Sequence, residues 1–194
     1  MNTMKKAVGI CVLAVAAKSA AFVHVPSMTN TLRSSASMQG FKSSALRMVS
    51  VGEAAPDFTL LDQNKKSVKL SSFKKKQEVV VFFYPKDNTP GCTKEAQAFQ
   101  ADLAEFQKLK AKVIGISSDE DHTEFVDNYG LKMTLLSDVG GKVRKQWKVK
   151  GALFGSIDGR VTYILDKNGV VKKVYDNLLD GAAHSKEALK ALKE

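Results

Sequence analysis

A chain of 194 residues, 44 % hydrophobic and 26 % charged, is long enough for one ordinary domain with an appendage, and its make-up excludes a disordered polyelectrolyte. Its formal charge of +10 suggests a polyanion-binding protein, but residues 1–52 hold Lys5, Lys6, Lys18, Arg33, Lys42 and Arg47 and no acid; without these six, 24 Lys and Arg face 20 Asp and Glu, a net of +4. The excess belongs to the amino-terminal segment, Lys74, Lys75 and Lys76 read as a solvated loop, Lys172 and Lys173 as a guarded strand edge, and no nucleic-acid partner is expected.

Residues 1–21 begin with a short basic stretch, continue as an apolar run over 7–17, and end in Ser19, Ala20 and Ala21 before Phe22. The run is too short to span a bilayer, so no stable membrane insertion is expected; its proportions are those of a signal peptide cleaved after Ala21. Residues 22–48 are rich in Ser and Thr, carry Arg33, Lys42 and Arg47 and lack acids, the composition of an organellar transit peptide. Two addresses in series imply two membrane systems. The junction "SAAFVHVP" resembles the bipartite presequences of algae with secondary plastids, which implies a plastid location, stromal or thylakoid-associated. Secretion is the alternative, but the two cysteines, Cys11 and Cys92, cannot build a disulfide framework. Cys11 leaves with the signal peptide, and the mature domain, 49–194, keeps Cys92 alone.

Within that domain, residues 57–61 and 67–70 read as short strands around a polar turn. "EVVVFFY" at 78–84 is a continuous apolar and β-branched run, a central strand covered on both faces, and Pro85 ends it. Ala96, Phe99, Leu103, Phe106 and Leu109 recur at helical spacing, and "AKVIGIS" at 111–117 is a second buried strand, parallel to the first by the crossover rule. A helix over 119–129 ended by Gly130, a strand at 133–138 and a helix over 139–147 follow. A hairpin of 160–166 with 169–175 turns at Lys167, Asn168 and Gly169, and a helix over 185–193 closes the chain. The order predicts an α/β fold similar to thioredoxin, with a mixed sheet of about five core strands flanked by helices.

The turn "NTPGCT" places Thr89 at N-cap, Pro90 at N1, Gly91 at N2 and Cys92 at N3 of a helix. A first turn presents unpaired N–H groups and the positive end of the helix dipole, which favour a thiolate over a thiol. A lone cysteine is commonly just a small buried hydrophobe. Polar neighbours and a place behind the carboxyl end of a central strand favour a reactive one. There is no Cys-x-x-Cys, no nucleotide loop and no ligand spacing around His122 or His184, so neither metal nor cofactor is expected. His122 reads as lying on the solvent face of its helix and His184 at or before the start of the last one.

"FFYPKDNTPGCTKEAQAF" resembles the active-site segment of the peroxiredoxins, whose Pro-x-x-x-Thr-x-x-Cys motif falls here on Pro85, Thr89 and Cys92; "FYPKD-x-TPGCT-x-E" is similar to the bacterioferritin-comigratory, or peroxiredoxin Q, branch. The resemblance runs from about Val51 to the carboxyl end. It implies a thiol-dependent peroxidase reducing hydrogen peroxide and organic hydroperoxides through a sulfenic acid at Cys92. It implies that Arg160, in "DGRVTYILD", stands beside the thiolate with the Thr89 hydroxyl, that Pro85 shapes and shields the pocket, that Glu95 positions neighbouring donors, and that the protein is a monomer. Trp147 is expected in the core or the pocket wall.

Many members of that branch carry a second cysteine five residues after the first, where this chain has Gln97. Recycling then needs an external thiol, thioredoxin or glutathione with glutaredoxin. The competing reading is a peroxide-responsive redox sensor that binds partners without sustained turnover.

Overall fold

The computed structural model describes residues 48–151 and 155–194. The expected signal peptide, its cleavage point, Cys11 and all of the transit-like segment but Met48 lie outside the described residues. Among the described residues no helix is long and apolar enough to cross a membrane.

The elements are β1 (Thr59–Asp62), β2 (Ser67–Lys69), a 3-10 turn (Leu70–Phe73), β3 (Glu78–Phe83), α1 (Pro90–Ala101), α2 (Leu103–Lys108), β4 (Ala111–Ser117), α3 (Thr123–Tyr129), β5 (Thr134–Ser137), α4 (Lys142–Gln146), β6 (Val161–Leu165), β7 (Val171–Asp176) and α5 (Gly181–Lys193). They form a thioredoxin-like α/β fold. The described strands make one mixed sheet in the order β2-β1-β5-β4-β3-β6-β7, with β3, β4 and β5 parallel. The sheet has seven strands, not about five, because the β1–β2 hairpin pairs Leu61 with Ser137 and Asp62 with Leu136 and so covers the outer edge of β5.

β3 sits between two cores, as its unbroken apolar run requires. Val79, Val81 and Phe83 pack with Ile114, Ile116, Tyr163 and Trp147 on one face. Val80, Phe82 and Tyr84 pack with Phe99, Phe106 and Leu135 on the other, which the helices α1 and α5 cover. Trp147 is core, not pocket wall: it is fully buried against Phe83 and Tyr163, and its indole N–H donates to Pro56 O at 3.1 Å.

The helices depart from their expected bounds at particular residues. The helix expected through residues 96–109 breaks at Asp102, whose carboxylate accepts the Ser185 hydroxyl at 2.7 Å. α3 starts four residues late because Asp119 accepts the Ser117 hydroxyl and the Asp87 N–H, leaving Asp121 to accept Thr123 N–H. α4 is short because Gly140 and Gly141 are both left-handed. α5 begins at Gly181, capped by Asp180, so His184 lies inside its first turn, not at or before its start. His122, expected on a solvent face, is fully buried at the N-cap of α3. Lys172 and Lys173 do guard an edge: β7 is the last strand, and they pair with Glu78 at 3.2 Å and Glu187 at 2.8 Å.

Candidate active site

The antiparallel register Phe83↔Val161 sets the start of β6 beside the end of β3. Arg160, one residue before β6, therefore faces the chain leaving β3, which must turn into α1 within residues 84–89. Tyr84 adds one last bond to the ladder, its N–H donating to Ile116 O at 3.1 Å. Half-buried Pro85 has no N–H to continue it. Asn88 takes φ +57°, a left-handed state that Asn tolerates better than most residues. Thr89 follows as an extended N-cap with Pro90 at the first helical position, as the sequence predicts. Its hydroxyl behaves otherwise: it donates back to Lys86 O at 3.1 Å and makes no cap bond, closing the loop on itself.

Cys92 is 2 % exposed, and its sulfur accepts a hydrogen bond from Arg160 Nη2 at 3.4 Å. The guanidinium is held on its other sides as well. Its Nε donates to Leu178 O at 3.1 Å, and its Nη1 pairs with Glu95 Oε2. Room for it comes from two glycines: a Cβ on Gly91 would stand 3.1 Å from Arg160 Nη2, and one on Gly181 would stand 2.7 Å from Gly91 O and 3.3 Å from Arg160 Nη1. Here α1 and α5 meet around the arginine.

Glu95, three residues after Cys92 on the same face of α1, is fully buried. Burial pushes its carboxyl up to about 8, against the opposing pull of Arg160. Burial pulls Arg160 down, but Glu95 and then Cys92 outweigh this and raise it, so it stays a cation. His184 is pushed down to about 4 by burial and is neutral. Its Nε2 donates to Asn177 O at 2.8 Å and its Nδ1 accepts from the Thr162 hydroxyl at 2.7 Å.

A second buried arginine escaped the sequence reading. Arg144, on α4, donates from Nη1 to Gly159 O and from Nη2 to Tyr84 O, each at 2.7 Å, and lies 3.5 Å from Asp158 Oδ2 through Nε. It thereby ties the loop leading into α1 to the loop carrying Arg160. In sequence it stands between Lys142 and Lys145, a setting that reads as a solvated basic face.

Of the four sequence-predicted site residues, the fold brings Cys92 and Arg160 into contact, places Thr89 three residues before Cys92, and sets Pro85 at the start of the loop. Gln97 is exposed on α1. Among the described residues no group of three or more His, Cys, Asp or Glu is placed to hold a metal ion.

A buried thiol bonded to an arginine, at a helix start behind the central strand of a thioredoxin-like sheet, defines a cysteine-based redox protein. Residues 51–174 match the model of the AhpC/TSA family. The chain is 54 % identical over 146 residues to the putative chloroplastic peroxiredoxin Q of Oryza sativa subsp. indica, covering 74 % of this chain and 67 % of that protein. It is 50 % identical over 171 residues to the chloroplastic peroxiredoxin Q of Arabidopsis thaliana, covering 84 % and 79 %. Among solved structures, peroxidoxin BcpB from Mycobacterium tuberculosis superposes with a TM-score of 0.68 at 35 % identity, covering 74 % of this chain and 96 % of that one. A mutant of Xylella fastidiosa PrxQ superposes at 0.69 with 26 % identity, covering 76 % and 97 %. The chain belongs to the AhpC/TSA family and, within it, to the peroxiredoxin Q proteins, a class of thiol-dependent peroxidases.

Proposed function

We propose that Cys92 is the peroxidatic cysteine of a one-cysteine peroxidase acting on hydrogen peroxide and organic hydroperoxides. The observation that carries this reading is the hydrogen bond that Arg160 donates to the buried Cys92 sulfur at the start of α1. The thiolate attacks one peroxide oxygen, and an S–O bond forms as the O–O bond breaks. The departing oxygen takes a proton and leaves as water or an alcohol, and the sulfur, oxidised by two electrons, becomes a sulfenic acid. Arg160 donates to the sulfur and stabilises charge moving onto the leaving oxygen. Thr89 lends its hydroxyl to that oxygen once it releases the Lys86 carbonyl, and Pro85 shapes the loop.

With Gln97 where a second cysteine would resolve the sulfenic acid, an external thiol does so, expelling water and forming a mixed disulfide that a further thiol reduces. Thioredoxin and glutathione with glutaredoxin are the candidate reductants, and the working unit is a monomer. The names of the relatives include "chloroplastic". Together with the composition of residues 1–48, this supports a plastid location reached by a signal peptide (1–21) and a transit segment (22–48), with 49–194 as the mature domain.

The 2 % exposure of Cys92 favours one alternative, a redox sensor, because a protein thiol cannot reach the sulfur until the first turn of α1 moves. Steady-state peroxide consumption separates the two. An enzyme turns over many times with thioredoxin or with glutathione and glutaredoxin, whereas a sensor consumes one equivalent and stops.

A further inference from the structure

A second buried cluster, apart from the Arg160–Cys92 contact, holds the loop that leads into α1, the helix of Cys92. Asp87, in the middle of that loop, is buried; its Oδ1 accepts the Tyr84 hydroxyl at 2.7 Å and its Oδ2 accepts from Nδ1 of His122 at 2.7 Å. The Asp87 N–H donates to Asp119 Oδ2 at 2.9 Å, and the same oxygen accepts the Ser117 hydroxyl at 2.8 Å. His122 comes from a different part of the chain, the start of α3. It is fully buried, and among the described residues its Nε2 has no hydrogen-bond partner.

An imidazole kept only to fill space would do better as an apolar side chain, because burying a nitrogen unpaired is costly. What His122 supplies that an apolar side chain cannot is the Nδ1–H donated to the Asp87 carboxylate. That bond spans 35 residues and fastens the 84–89 loop at its centre, while Arg144 fastens it at the Tyr84 carbonyl. Thr89, the N-cap of α1, is two residues beyond Asp87, and Cys92 sits on the turn that Thr89 begins.

We propose that His122 is a positioning residue for the peroxide reaction: through Asp87 it fixes the active-site loop, and so holds the Cys92 sulfur in register with Arg160. The inference rests on reading Cys92 as peroxidatic. Loss of the Nδ1 donor lets the loop shift, and a displacement of the order of 1 Å at a reacting atom can slow a reaction by orders of magnitude.

The test compares wild type with His122→Leu, His122→Asn, His122→Gln and a variant of the core on the other face of the sheet, Val171→Ala. Asn places an amide donor near the Nδ1 position, and Gln places it near the Nε2 position. Three quantities are read: the rate of Cys92 oxidation by hydrogen peroxide, the rate of Cys92 alkylation by a bulky maleimide, and amide exchange along the chain. Leu and Gln are expected to slow oxidation about tenfold or more, speed alkylation, and quicken exchange at residues 85–93, with Asn restoring most of each. Val171→Ala lowers thermal stability without this pattern. Oxidation within twofold of wild type in both Leu and Gln, or faster exchange spread evenly over the sheet, overturns the proposal. If Leu does not fold, the Asn and Gln pair decides. If wild type itself is inert to peroxide, the peroxidatic reading falls, and alkylation and exchange still decide whether His122 holds the loop.

Discussion

Oε1 of Glu95 lies 3.6 Å from Nδ1 of His184, and both side chains are fully buried. Burial moves the two in opposite directions, Glu95 up to about 8 and His184 down to about 4, which favours the neutral form of both between those values beside the cationic Arg160. Above about pH 8 Glu95 ionises and takes up the arginine's charge. The peroxide rate constant is therefore predicted to fall on the alkaline side, and Glu95→Gln to remove that fall. A stopped-flow rate profile from pH 5 to 9.5 on both proteins checks it.

The same two groups set a stability optimum. Glu95 is raised above its unfolded value of 4.5, so its contribution is fully present below that pH and is lost as pH rises through about 8. His184 is depressed below 6.5, so its contribution is present above 6.5 and is lost as pH falls through about 4. Thermal unfolding followed against pH is expected to peak between about 5 and 6.5, and Glu95→Gln to flatten the decline on the alkaline side.

Arg160→Gln removes the fork that touches both Cys92 and Glu95. The expected loss is about 100-fold or more in the rate of Cys92 oxidation, the scale seen when one preorganised donor to a developing charge is deleted. Arg160→Lys keeps the charge without the fork and should recover only part of the rate. Intact-mass quench experiments on the two variants measure both.

Gly91 and Gly181 make a steric prediction with an order. Alanine at 181 meets the backbone carbonyl of Gly91 at 2.7 Å, which cannot yield without moving α1, whereas alanine at 91 meets the end of the Arg160 side chain at 3.1 Å. Gly181→Ala is expected to destabilise by about 1–3 kcal/mol and to slow oxidation. Gly91→Ala should cost less stability while displacing the arginine. Denaturant melts paired with oxidation rates test the order.

Arg144 was invisible in the sequence, although its two 2.7 Å bonds to Tyr84 O and Gly159 O join the halves of the site. Arg144→Leu leaves buried carbonyls unpaired and is expected to destabilise by about 2–4 kcal/mol, with slower oxidation at temperatures where the variant is still folded. Differential scanning calorimetry with rates at 15 °C separates the two effects.

Legibility followed locality. β3 and β4 were readable because runs such as "EVVVFF" are covered on both faces, and the placement of Thr89, Pro90 and Cys92 because caps are local chemistry. Arg160 came only from the family motif, since its partners Leu178 and Glu95 are brought to it by the β3–β6 register and by the packing of α1 on α5. Arg144 and His122 look in sequence like surface residues, and only the crossing of distant loops buries them. The late start of α3 was missed for a related reason, because Asp119 there is engaged by Asp87, a residue far along the chain.

Whether Cys92 is the peroxidatic residue is decided by the intact mass of the protein and of Cys92→Ser after one equivalent of hydrogen peroxide. A gain of one oxygen within seconds is expected, mapped to Cys92, absent from the serine variant and removed by an added thiol. A Cys92 that stays unmodified over minutes, or an oxygen gained equally by Cys92→Ser, would contradict it.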